Sequence, residues 1–219
     1  LNGVGLDLNQ YKKLSQKEIL SKKKELGLKE NDFVVLMIAE LNENKNQVQL
    51  IEAMEVLKDT YPEIKAICVG EGDKLSELQS EVKNRGLEGK VNFLGFRNDI
   101  NELINICNIG VLLSYREGLP RNLMELMACG KKVIATNIRG CRDIVVDETV
   151  GEIVEVGDYE ATAKAIENQY LYGDNQFIIS KEIEKYDVKT INEGLRLIYK
   201  ELEEGGYYHK EGYAYSANE

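Results

Sequence analysis

Six consecutive apolar residues, Phe33-Val34-Val35-Leu36-Met37-Ile38, constrain the fold of this chain more than any other feature. A run without a polar face suits a strand covered on both sides, as in a parallel sheet. The same pattern recurs. Residues 64–69, 91–94, 109–113, 133–136 and 151–156 read as further strands. Between and around them, 15–26, 46–60, 73–84, 100–107, 120–129, 159–172 and 188–203 read as helices. The first is closed by Gly27, and Gly86 follows the third. In the helix at 46–60 the expected apolar stripe is Val48, Ile51, Met54, Val56 and Leu57. Strands alternating with helices imply an α/β fold, a parallel sheet with helices on both faces. In such sheets ligands sit beyond the carboxyl ends of the strands. The segments that begin at Ala39, Gly70, Leu94, Ser114 and Thr136 all fall on that edge.

The segment after the fourth strand carries the most chemistry. In Ser114-Tyr115-Arg116-Glu117-Gly118-Leu119-Pro120-Arg121-Asn122-Leu123-Met124-Glu125 two glutamates stand eight positions apart. Pro120 suits the first turn of a helix, where its missing N–H is unpaired anyway, and Gly130 suits its end. A strand, a tight turn and a helix N-terminus make an anion site from backbone amides. Glu117 alone is equally well read as a helix-dipole partner. Glu125 is harder to set aside, because Leu123, Met124, Leu126, Met127 and Ala128 surround it and a glutamate is rarely buried without a partner.

Composition removes several classes of function. A net charge of −10 argues against nucleic acid or an anionic membrane surface as the partner of this domain. Cys68, Cys107, Cys129 and Cys141 lack zinc-like spacing, and a reduced cytosolic chain is expected. The single histidine, His209, excludes a histidine-based triad or multi-histidine metal site within the chain. No apolar run approaches membrane-spanning length. Gly70-Glu71-Gly72 begins like a dinucleotide fingerprint, but Leu75 occupies its third glycine position; Gly130-Lys131-Lys132 lacks the other parts of a P-loop. Residues 205–219, with four of the twelve tyrosines and no apolar period, are expected to form a flexible tail. The chain begins with Leu, so an excised fragment is expected.

The 114–130 segment resembles the paired-glutamate region of retaining glycosyltransferases of family 4, which have the GT-B fold. Asn2-Gly3-Val4-Gly5-Leu6-Asp7, Ala39-Glu40-Leu41 through Lys45-Asn46, Val69-Gly70-Glu71-Gly72, Val91 to Phe96, and Lys132 to Thr136 with Gly140 match that family in order. The resemblance implies a Rossmann-like sheet that is the C-terminal half of a GT-B enzyme. Residues 1–204 would then bind a nucleotide-sugar donor, and the acceptor domain would lie outside this chain. The implied activity is transfer of a hexose from a UDP-sugar, or another nucleotide diphosphate sugar, to a glycan or lipid-linked acceptor with retention. The Glu40–Asn46 stretch looks like a variant from bacterial capsule and exopolysaccharide synthesis. No essential metal or cofactor is expected. The expected location is cytoplasmic, with peripheral association of the full enzyme at the inner membrane face. The fragment alone is expected to be inactive. The alternatives are a nucleotide-sugar 2-epimerase of similar fold and a non-catalytic nucleotide-sugar-binding subunit.

By that resemblance Glu125 takes the ribose hydroxyls, Glu117 the donor hexose, and Lys45 the diphosphate. Backbone amides around Gly118, Leu119 and Asn122 face phosphate or sugar. Gly95 and Phe96 offer backbone to the base, or are an ordinary strand end. Gly70 and Gly140 permit tight turns or keep clearance near the donor. Without the surrounding motif, Lys45 reads as a solvated loop lysine. The family's frequent Arg appears here as Glu40, and Arg97, Arg116, Arg121 and Arg139 are candidate substitutes. A carboxylate facing the diphosphate would repel it, so either Glu40 points away or another cation substitutes; of the roles open to Glu40, holding Lys45 or an arginine in place is the one expected.

Overall fold

In the computed structural model residues 5–173 and 181–204 are described. Helix α1, Gln16–Glu25, starts at a reciprocal capping box between Ser15 and Glu18 and stops before Gly27 at φ +71°. Strands β1 (Phe33–Ile38), β2 (Ile64–Val69), β3 (Val91–Phe93), β4 (Ile109–Leu112), β5 (Val133–Thr136) and β6 (Gly151–Val154) form one sheet. Its order is β3-β2-β1-β4-β5-β6, and every pairing is parallel. Helices α2 (Gln47–Leu57), α3 (Leu75–Asn84), α4 (Ile100–Ile106), α5 (Arg121–Ala128) and α7 (Tyr159–Tyr172) cover it, with a short α6 (Arg139–Arg142) between β5 and β6 and α8 (Val188–Glu204) last.

The β1 hexapeptide explains this layering. Val34 and Leu36 face a core with Leu103, Ile104, Leu123, Leu126 and Met127, from α4 and α5. Phe33, Val35 and Met37 face a second core with Leu50, Ile51, Met54, Leu78 and Ile166, from α2, α3 and α7. Both faces of the strand are thus removed from water, as its sequence required. The α5 helix lies so close to β4 that a Cβ on Gly110 would fall 2.2 Å from Leu126 Cδ1. The chain winds outward from β1 to β3, returns beside β1 as β4, and winds the other way to β6. The point where the winding reverses lies at the carboxyl ends of β1 and β4, the place where such sheets take their ligands.

Several details differ from the sequence reading. Val56 is 53 % exposed and does not belong to the buried stripe of α2. Buried Gln49 takes part in that face instead. Its Nε2 donates to Thr162 Oγ1 at 2.9 Å and to the carbonyls of Glu155 and Asp158, tying α2 to α7. A polar side chain with three acceptors is stable in a core, but an apolar pattern passes over it. The short α6 and a 3-10 helix at Lys181–Tyr186 were not expected. A parallel bridge between Leu6 and Asp187 joins the first described residues to the start of α8. The 205–219 tail lies outside the described residues. Among the described residues no helix is long and apolar enough to cross a membrane.

Candidate active site at the β1/β4 crevice

The loop after β1 is built to hold one lysine. Asn42 Oδ1 accepts the Lys45 amide at 3.1 Å and caps a 3-10 turn, Glu43–Lys45. Asn46 then turns the chain directly into α2 with φ +51°, a left-handed conformation that asparagine tolerates. Its Nδ2 donates to Leu113 O at 3.2 Å and to Gln49 Oε1 at 2.8 Å, so the turn is pinned to the end of β4. The Tyr115 amide donates to Asn44 O at 2.8 Å, and Asn44 Nδ2 donates to Arg116 O at 3.0 Å. The β1 and β4 loops are laced together across the switch point.

This lacing brings Lys45 to Glu117. Lys45 Nζ donates to Glu117 Oε1 at 2.5 Å, and Ser114 Oγ donates to the same oxygen at 2.7 Å. The two side chains are only 22 % and 12 % exposed, respectively. Ser114, itself fully buried, is held in turn by Thr136 Oγ1, which donates to its carbonyl at 2.6 Å. The start of α6 closes the back of the Glu117 turn. A Cβ on Gly140 would lie 2.4 Å from Gly118 O and 2.6 Å from Glu117 O, so only glycine permits this approach.

The N-terminus of α5 opens beside this constellation. Pro120 is its N-cap, one position earlier than expected, and makes no side-chain capping bond. Asn122 Nδ2 donates to Ile38 O at 2.6 Å and anchors the helix start to the end of β1. Gly118 is exposed, while Leu119 is half-buried against the core beneath. The backbone amides of such a turn suit an anion.

Glu125 lies in the second turn of α5, and its partners are separate from those of Glu117. Arg121 Nε donates to Glu125 Oε1 at 2.9 Å, and Tyr11 OH donates to the same oxygen at 3.0 Å. These contacts answer the question of how a glutamate survives in an apolar helix. Burial first, then the charge of Glu125, pushes the Tyr11 phenol up to about 12. Sequence reasoning passed over both Tyr11 and Ser114. Arg121 stands at the i,i+4 spacing of a helical ion pair, a signal available in the sequence.

The remaining predicted residues sit along the same edge. Gly70, at φ +141°, presses so closely on the β1 loop that a Cβ would lie 2.1 Å from Ala39 O. Its amide donates to Gly95 O at 2.9 Å, and Gly95 itself is left-handed at φ +66°. Phe96 next to it is 68 % exposed. The candidate substitute cations separate clearly. Arg97 is bound to Asp99 and Glu25, and Arg121 to Glu125. Arg139 is 91 % exposed and 4.0 Å from Asp143. Exposed Arg116 has no ion-pair partner among the described residues. Glu40 is also exposed and, among the described residues, pairs with no cation; its carbonyl accepts from Gln47 Nε2 at 2.8 Å and from the Asn42 amide at 3.1 Å. The cation-holding role expected of Glu40 toward Lys45 falls to Glu117.

Comparison with known proteins places the chain in a family. Residues 18–195 match the family model of glycosyl transferases group 1. A putative glycosyltransferase, EpsD, of Bacillus subtilis is 38 % identical over 170 residues, covering 78 % of this chain and 45 % of its own. An Escherichia coli UDP-Gal:alpha-D-GlcNAc-diphosphoundecaprenol alpha-1,3-galactosyltransferase is 30 % identical over 74 % of this chain and 42 % of its own. The chain thus spans about half the length of these curated relatives. Among solved structures, HepE of Anabaena in complex with UDP superposes with a TM-score of 0.82 at 30 % identity, over 90 % of this chain and 56 % of that one. The C-terminal domain of a group 1 glycosyl transferase, LpcC, from Francisella tularensis superposes with a TM-score of 0.72 at 25 % identity, over 84 % of this chain and 100 % of that one. The fold is therefore the Rossmann-like half of a GT-B structure, and the chain belongs to the glycosyl transferases group 1 family.

Proposed function

We propose that this chain is the C-terminal, donor-binding half of a retaining glycosyltransferase. The whole enzyme would move a hexose from a UDP-sugar, or another nucleotide diphosphate sugar, to a glycan or lipid-linked acceptor during cell-surface polysaccharide synthesis. The observation that carries this reading is the Lys45–Glu117–Ser114 constellation at the sheet's switch point, beside an α5 N-terminus without a side-chain cap. The UDP bound to HepE and the complete coverage of the Francisella C-terminal domain support it.

The chemistry follows from donor and acceptor counts. An ammonium has three N–H donors. One on Lys45 goes to Glu117, and the others serve the diphosphate. As the sugar–phosphate bond breaks, negative charge grows on the β-phosphate, and a fixed cation there lowers the barrier. Amides at Gly118, Leu119 and Asn122 add dipoles aimed at the same region. Glu117, held by Lys45 and Ser114 on one oxygen, offers the other to hexose hydroxyls. Glu125 accepts the ribose cis-diol, and the Gly95–Phe96 backbone meets the base. Gly70 shapes the turn that lets these loops approach. The departing phosphate assists attack on the same face of the sugar, with retention and without an essential metal. The reaction is placed in the cytoplasm, where the full enzyme would meet a lipid-linked acceptor at the membrane surface through its other half.

Calorimetry of the chain with UDP, with and without a chelator, tests the site. Weak binding that the chelator leaves unchanged is expected. No binding at millimolar UDP, or binding only with metal, overturns the reading. The anomeric configuration of the product, read by NMR with the intact enzyme, tests retention. An inverted product refutes it.

A further inference from the structure

Tyr11 stands more than a hundred residues from Glu125 in sequence, yet its hydroxyl lies 3.0 Å from Glu125 Oε1. Its position is set by a strap tied down on both sides. Upstream, the Leu6 amide donates to Tyr186 O at 2.8 Å, and the Val188 amide donates back to Leu6 O at 2.8 Å. Leu6 is wholly buried, and a Cβ on Gly5 would fall 2.8 Å from Val188 Cα. Downstream, Asn105 on α4 receives the Leu14 amide at 2.9 Å and donates to Lys12 O at 2.9 Å. Between these anchors, Asp7 caps a 3-10 turn at Leu8–Gln10 that ends at Tyr11. The tyrosine ring packs on the apolar core beside α5.

Two donors therefore converge on a single oxygen. Tyr11 OH and Arg121 Nε both reach Glu125 Oε1, at 3.0 and 2.9 Å. A carboxylate oxygen has two lone-pair sites. Filling both on Oε1 fixes the rotation of the carboxylate and leaves the pair on Oε2 for a ligand. Arg121 alone would be a poor clamp. Its side chain is 57 % exposed, and exposed ion pairs are screened and mobile. The phenol is neutral, half-buried and anchored.

We infer that Tyr11 is a positioning residue for nucleoside recognition, turning Glu125 so that Oε2 meets the ribose cis-diol. The inference rests on the assignment of Glu125 to the ribose. Tyr11 touches no substrate; it acts through the carboxylate. The strap thus connects recognition of the nucleoside to the segment that leads into α8.

The experiment compares the whole chain, Tyr11→Phe, Arg121→Gln and Glu125→Gln for binding of UDP and of 2′,3′-dideoxy-UDP by calorimetry. Tyr11→Phe is expected to weaken UDP by roughly three- to tenfold, the effect of one hydrogen bond, and to leave the dideoxy compound unchanged. Glu125→Gln is expected to remove most of the preference for UDP over the dideoxy compound. Arg121→Gln, at an exposed position that does not endanger folding, is expected to act in the same direction as Tyr11→Phe. Equal weakening of both ligands by Tyr11→Phe would mean a merely structural role and overturns the inference, as does no change with either ligand. Should Tyr11→Phe fail to fold, that too marks a structural role and counts against it. If Glu125→Gln keeps the full ribose preference, the ribose assignment itself fails. If the wild-type chain binds neither compound at millimolar concentration, the donor-site reading fails, and the inference falls with it.

Discussion

Glu117 and Glu125 have similarly small exposures, 12 % and 16 % of their side chains, yet different parts of the chain stabilise them. Glu117 is matched by Lys45 from the β1 loop, across the point where the sheet reverses direction. Both partners there are largely withdrawn from water. Glu125 is matched within its own helix by an arginine that is mostly in solvent, and the withdrawn partner is a neutral phenol. The difference teaches where charge matters. A shielded ion pair couples its members strongly, and removing one leaves the other buried and unpaired. A solvent-facing pair contributes little on its own. Glu117 is therefore part of an electrostatic unit, and Glu125 part of a hydrogen-bonding one.

The largest expected effect comes from breaking the electrostatic unit. Lys45→Ala removes the cation at the leaving phosphate and should lower transfer by the intact enzyme on the order of 10²–10³-fold. On the isolated chain it should weaken UDP far more than uridine, and, because the pair is shielded from water, the loss should change little as salt rises. Calorimetry at two ionic strengths checks this. Equal losses for UDP and uridine would remove Lys45 from the phosphate.

The next effect separates the two carboxylates directly. Glu125→Ala should weaken UDP by about 1.5–3 kcal/mol, the range for hydrogen bonds to a charged group. Glu117→Ala, which releases Lys45 from its carboxylate, should leave plain UDP binding as strong as in the parent or tighten it, yet should weaken the sugar nucleotide or abolish transfer by the intact enzyme. Equal effects of both changes on plain UDP would erase the distinction between the two sites.

A third change tests the support of one site only. Gly140→Ala places a Cβ 2.4 Å from Gly118 O and 2.6 Å from Glu117 O. Backbone cannot yield as a side-chain tip can, so destabilisation of about 1–3 kcal/mol is expected. Denaturant unfolding measures it. Displacing this turn should impair the Glu117 side of the crevice and leave the ribose preference supplied by Glu125 intact. A variant as stable as the parent would show that α6 does not brace the turn.

These differences also mark what the sequence could reveal. β2, β5 and α7 match their expected bounds, because short apolar stretches and a long helix with Asp158 as its cap carry local signals. The sheet's burial on both faces was legible in β1 for the same reason. Four-residue α6 offers too little period to be read. Glu117 and Glu125 were legible as residues, since carboxylates in a phosphate-type turn and an apolar helix stand out. Their partners divide by distance. Arg121 lies one helical turn from Glu125, whereas Lys45 and Tyr11 are brought in by sheet order and by a strap. Glu40 illustrates the limit of motif alignment. Its position in the family pattern left open whether the carboxylate faces the site or points away; the chain exposes it, pairs it with no cation among the described residues, and gives its carbonyl to Gln47 and Asn42.

The smallest effect is a pH dependence confined to the hydrogen-bonding unit. Tyr11 has its folded value raised to about 12, chiefly by burial and then by Glu125. An unfolded tyrosine titrates at about 10. A raised value means that the folded state keeps a proton the unfolded state releases. The contribution of the Tyr11 hydroxyl is thus fully present below about pH 10 and is lost as pH rises from there toward the folded value. Tyr11→Phe has no phenol to titrate, so it should be less stable than the parent at pH 8, with the gap closing between about pH 10 and pH 12. Parallel thermal melts of the two proteins, or the difference in their alkaline absorbance titrations, measure this among the twelve tyrosines of the chain. A gap that stays constant through that window would show that Tyr11 is not coupled to Glu125 through its proton. The comparison would then lose the feature that distinguishes the Glu125 side from the ion pair at Glu117.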